Sequence, residues 1–82
     1  MTEEKISLII GQLVVIESDL TVPKNVRARV KKAIFALEDN NYQLGVKIDK
    51  ALEELGEVDT DPNLSPFIRT QIWNVVSNLE GE

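Results

Sequence analysis

Three observations predict an all-α fold of four antiparallel helices, arranged as two tandem helical hairpins. Apolar residues recur at three- and four-residue steps through four segments. Asp, Asn, Ser and Pro cluster between those segments, at Ser18-Asp19-Leu20-Thr21, Asp39-Asn40-Asn41 and Asp61-Pro62-Asn63. The second half also repeats the first at an offset of 42 residues, so that Asp61 falls on Asp19, Leu64 on Val22, Ile68 on Val26, Arg69 on Arg27 and Ile72 on Val30. The chain therefore reads as a single domain over 1–82 containing one helix–turn–helix unit written twice, at 1–40 and 43–82.

The first helix starts near Thr2, an N-cap residue followed by Glu3 and Glu4, whose charges suit the positive end of the helix dipole. Ile6, Ile9, Ile10, Leu13 and Ile16 form its apolar face, and Gly11 weakens the pattern without breaking it. Pro23 belongs to the first turn of the second helix, where its missing N–H does no harm. Val26, Val30, Ala33, Ile34 and Leu37 supply the core side of that helix. Asp39-Asn40-Asn41 turns the chain and offers an Asn cap to the third helix. Leu44, Ile48, Ala51, Leu52, Leu55 and Val58 carry the third helix through Gly56, with Gly56 as a C-cap the alternative. Ser65 caps the fourth helix, Pro66 is its first residue, and Gly81 closes it. Phe67, Ile68, Ile72, Val75, Val76 and Leu79 are expected on its buried side.

Eighty-two residues allow one modest core. Cysteine and histidine are both absent, which removes thiolates, the near-neutral acid–base group and the commonest transition-metal ligands. No catalytic activity, cofactor or metal site is expected. Net charge is −5, yet five of the nine basic residues lie between Lys24 and Lys32. The longest apolar stretch, Ile6 to Ile16, falls short of the roughly 20 residues of a membrane span, and no basic leader precedes it. A cytoplasmic protein is expected.

The repeat extends to identical pairs outside the apolar faces, among them Lys5/Lys47, Asp19/Asp61, Arg27/Arg69 and Glu38/Glu80. Two helices in about 40–47 residues is the period of HEAT and armadillo units. Asp19 followed by Val26-Arg27, and Asp61 followed by Ile68-Arg69, resemble the turn Asp and Val-Arg of HEAT repeats, here with a longer turn. Tandem hairpins of this kind are expected to stack as HEAT units or to close as a four-helix bundle. Nearly the whole chain is also similar to uncharacterised protein family 0147, a family of short archaeal proteins. That resemblance rests on Val22-Pro23-Lys24-Asn25-Val26-Arg27 and on Asp61-Pro62-Asn63, Arg69, Ile72-Trp73-Asn74 and Ser77. It implies an all-α fold and a prokaryotic cytosol, and it carries over no activity, cofactor or catalytic residue.

Asp59-Thr60-Asp61-Pro62-Asn63 matches the first half of an EF-hand loop, but Leu64 stands where the loop needs glycine and Thr70 where it needs a bidentate Glu. A capping turn is the better reading. The acidic run Glu53, Glu54, Glu57, Asp59 and Asp61 reads as a solvated face. Asp19 with Arg27, and Asp61 with Arg69, read as structural pairs: a carboxylate that caps exposed N–H groups and meets the Arg across the turn. Trp73 stands where the first unit has Lys31, near the edge of the apolar face, and core or edge packing is expected for it.

Two features go beyond this. Lys24, Arg27 and Lys31 share one flank of the second helix and could contact phosphates. Leu8 and Val15 point away from the core face of the first helix, and their counterparts in the third are Lys50 and Glu57. Phe35 similarly has Ser77 as its counterpart. Leu8, Val15 and Phe35 are therefore expected at an interface. The reading that follows is a non-catalytic protein-interaction module with a protein partner or a homodimer. The runner-up is an accessory RNA- or ribosome-binding protein that uses the basic helix 24–32.

Overall fold

The computed structural model describes residues 2–58 and 60–81. It has four α-helices and, among the described residues, no strand. They are α1 (Glu3–Glu17), α2 (Lys24–Glu38), α3 (Leu44–Val58) and α4 (Pro66–Glu80), each of 15 residues. At 1.5 Å per residue each is about 22 Å long. Among the described residues no helix is long and apolar enough to cross a membrane.

Local chemistry sets the ends. The Thr2 hydroxyl accepts from the Lys5 N–H at 3.1 Å, and the Ser65 hydroxyl from the Ile68 N–H at 3.2 Å. Both are N-cap bonds to the third helical residue. Pro23 lies one position earlier than expected: it is the N-cap of α2, with no side-chain cap bond. The expected Asn cap of α3 is not formed by Asn41, which precedes that helix and gives its N–H to the Asp39 carboxylate at 2.9 Å. Helix α3 passes through Gly56 to Val58. Gly81 ends α4 in the right-handed region, and its N–H reaches the Ser77 carbonyl at 2.9 Å. A Cβ there would sit 3.2 Å from that oxygen, and the backbone does not need a left-handed φ.

One core joins the four helices. Ile9, Leu13, Ile16, Val26, Val30, Ala33, Leu37, Ala51, Leu55, Val58, Ile72, Val75 and Leu79 are all nearly or fully removed from water. Each such Leu, Ile or Val contributes about 1.5–3 kcal/mol. The burial pattern recurs at the 42-residue offset. Every buried apolar residue of the first half has a buried counterpart except Ile34, whose partner Val76 is partly buried. Val22 and Leu64 plug the first and third turns at equivalent positions. Phe67 departs from expectation: it is 69% exposed, because Ile68 occupies the core position and its neighbour lies 100° round the helix.

Each helix packs against its chain neighbours, and α4 returns to α1, with no close backbone approach across either diagonal among the described residues. The helices thus form a closed antiparallel ring. The α2–α3 pair is the closest, and its symmetry counterpart α4–α1 is looser. Side-chain size accounts for the difference. Fully buried Ala33 and Ala51 lie on α2 and α3, whereas their counterparts Val75 and Ile9 lie on α4 and α1.

Candidate functional site

All three interhelical turns use one device. An Asp carboxylate accepts the N–H two residues on: Asp19 from Thr21 at 2.9 Å, Asp39 from Asn41 at 2.9 Å and Asp61 from Asn63 at 2.8 Å. This is an Asx turn. Asp19 also takes the Thr21 hydroxyl at 2.7 Å. Asp61 takes the Asn25 amide at 2.6 Å, a bond that ties the start of α2 to the turn between α3 and α4. Arg27 and Arg69 both donate to turn carbonyls, Arg27 to Val22 at 3.1 Å and Arg69 to Asp61 at 3.2 Å.

The Thr21 hydroxyl, then the Thr21 N–H, hold Asp19 below the ordinary carboxylate pKa, and the charge of Arg27 adds a smaller push. Asp61 is lowered by the Asn25 amide first, then by the Asn63 N–H, with Arg69 contributing less. Carboxylate and guanidinium therefore share the first and third turns. The bridge from Asn25 carried no signal in the sequence, because it joins residues 36 apart. Asp59, the first residue of the half EF-hand match and part of the acidic run, lies outside the described residues. Among the described residues no group of three or more acidic side chains is placed to hold a metal ion.

The basic segment of α2 is divided in use. Arg29 pairs with Glu54 of α3 at 2.9 Å, and that bond raises its pKa. Lys24, Lys31 and Lys32 are exposed, and the Lys31 ammonium lies 5.9 Å from the Phe35 ring centre. Phe35 is 59% exposed and lines a shallow recess on the α2–α3 seam with Lys32, Tyr42 and Lys50.

Leu8 and Val15 are 69% and 65% exposed. Seven residues apart, they share one outer stripe of α1. Val15 lines a recess with Gln12 and with Gln71 and Asn74 of α4, so this stripe borders α4 and stands apart from Phe35. The α1–α4 side has a property that periodicity alone did not bring out. Ile6 to Ile16 and Thr70 to Leu79 contain no charged residue, whereas α2 and α3 carry six each. Trp73, for which core or edge packing was expected, is 66% exposed and borders a recess lined by Leu55, Gly56, Ile72 and Val76. The sequence held a hint of this opening, since Gly56 replaces Val14 of the first unit.

Comparison with known proteins gives a consistent result. A family model described as an uncharacterised protein family, UPF0147, matches residues 1–81. A UPF0147 protein of Aeropyrum pernix is 38% identical over 78 residues, covering 95% of this chain and 86% of the relative. One from Sulfurisphaera tokodaii is 40% identical over 78 residues, covering 95% and 88%. The crystal structure of an unknown-function protein, MMP1188, superposes with a TM-score of 0.95 at 36% identity, covering 100% of this chain and 93% of that one.

Proposed function

Since the chain belongs to the archaeal family UPF0147, which brings it no activity, we propose from its surface that it is a non-catalytic cytoplasmic interaction module that self-associates through the α1–α4 side. The observation that carries this reading is the uncharged exposed surface around Leu8 and Val15. Charged residues are depleted at the centres of protein interfaces, and desolvating an uncharged helix face avoids the penalty of burying ions. Area supports it as well. The molecule measures 33 × 21 × 19 Å and exposes 5327 Å². One lateral side of such a body supplies the roughly 800 Å² per partner of a standard interface. A two-fold pairing uses the same patch twice, so each exposed apolar side chain contributes from both subunits.

Leu8→Lys combined with Val15→Glu tests this, because it installs the residues that α3 carries at the equivalent positions. The wild type is expected to associate at about 100 μM, a concentration suited to an interface with two modest apolar anchors, and the double variant to remain a folded monomer by light scattering and circular dichroism. Equal association of both proteins contradicts the reading.

The competing reading is RNA or ribosome binding through α2. It draws support from the exposed ammonium groups of Lys24, Lys31 and Lys32. Against it, Arg27 is occupied by a turn carbonyl and Arg29 by Glu54, and the surrounding chain is acidic. Lys24, Arg27 and Lys31 therefore rank below the α1–α4 side.

A further inference from the structure

We propose that the seam between α3 and α4 is a second docking site, separate from the self-association surface and independent of it, whose occupant is an amphipathic helix with basic flanks. Two recesses follow one another along this seam. One, of about 530 Å³, is bordered by Gly45, Asp49, Leu52 and Glu80. The next, of about 160 Å³, lies among Leu55, Gly56, Ile72, Trp73 and Val76. From Gly45 to Gly56 the groove runs about 16 Å at the rise of an α-helix, room for three turns of a docked one.

The first unit is an internal control. There the positions of Gly45 and Gly56 hold Glu3 and Val14, and α1 and α2 approach each other more closely than α3 and α4 do. A glycine that serves close helix packing would have a neighbour where its Cβ would stand. At Gly45 and Gly56 nothing lies within 4 Å. Gly45 and Gly56 border the two recesses at positions where the first unit carries side chains, and Trp73 stands beside Gly56 in place of Lys31.

Charge defines the occupant. The lysines of α3 turn to its other side: Lys47 donates to Asn40 at 3.2 Å, and Lys50 lies 4.3 Å from the Tyr42 ring centre. Asp49 and Glu80 border the groove, and no cation lines either recess among the described residues. Glu53 lines the recess on the α2–α3 seam instead, so Asp49 and Glu80 are the acids of this groove. A helix that lays aliphatic side chains over Gly56 and sets lysines beside Asp49 and Glu80 fits both the groove and its field.

Trp73 is the only tryptophan, so its emission reports occupancy directly. The probe is a synthetic helical peptide of about 14 residues with leucine at i, i+4, i+7 and i+11 and lysine on the flanks. Titrated into the full chain, it is expected to give a saturable blue shift. The glutamate-flanked counterpart is expected to bind at least about tenfold weaker. Gly56→Val, which copies the first unit and fills the groove, is expected to leave circular dichroism unchanged and to weaken the lysine peptide by at least about tenfold. Leu8→Lys with Val15→Glu is expected to retain the full shift, which separates this site from the self-association surface. No saturable shift, equal affinity for the two peptides, or unchanged binding by a folded Gly56→Val protein would each overturn the proposal.

Discussion

Asp61 shows how much one side chain can organise in a turn. Its carboxylate accepts from the Asn63 N–H and from the Asn25 amide, so one group shapes its own loop and fastens the start of α2 at the same end of the bundle. Asp61→Ala is expected to lower the denaturation midpoint. A double-mutant cycle with Asn25→Ala should return less than the sum of the single losses, because both variants delete one bond. The pKa values of Asp19 and Asp61 are depressed in the folded state, so their contribution is complete above the unfolded carboxylate value. It fades below about pH 4 as both protonate, and a urea series across that range reads the loss. At Ser65 the cap bond to Ile68 sets the entry of α4. Ser65→Ala should cost about 1 kcal/mol, measured by the same series. The caps at Thr2 and Ser65 were legible because such bonds are local. Phe67 was misplaced because hydrophobicity marks it as core, whereas only the phase of α4 about Ile68 shows that it faces out.

Helix positions and phases were readable for a different reason. Periodicity gives each face, and Pro, Asp and Ser punctuate the ends. Closure of the ring was not readable, since hairpins with identical faces can either stack or close. The sizes of Ala33, Ala51, Val75 and Ile9 relate the observed spacing to the sequence only once it is known which helices meet. Gly11 belongs at this scale. It lies inside α1 with ordinary helical backbone, and nothing stands within 4 Å of where its Cβ would be. Gly11→Ala should therefore raise stability by about 1 kcal/mol, through helix propensity and a less flexible unfolded chain. A midpoint that falls instead would mean that this position meets something the isolated subunit lacks.

The whole molecule is two-sided. Helices α2 and α3 carry most of the helical charge and share the Arg29–Glu54 pair, while the exposed surface of α1 and α4 is uncharged through their central turns. Contrasts between the repeats made part of that visible in the sequence, at Leu8 against Lys50 and Val15 against Glu57. Phe35 shared the contrast without sharing the location, because sequence separation does not tell which seam a side chain borders. The two functional readings of this two-sided body differ in their response to salt. Contacts between apolar surfaces are insensitive to screening, whereas contacts of lysine with phosphate weaken steeply as salt rises. Sedimentation equilibrium of the wild-type chain alone, at about 50 and about 500 mM salt, tests the central claim most directly. Self-association that is present at low salt and undiminished at high salt is the expected result. A chain that stays monomeric at about 100 μM in both would contradict it.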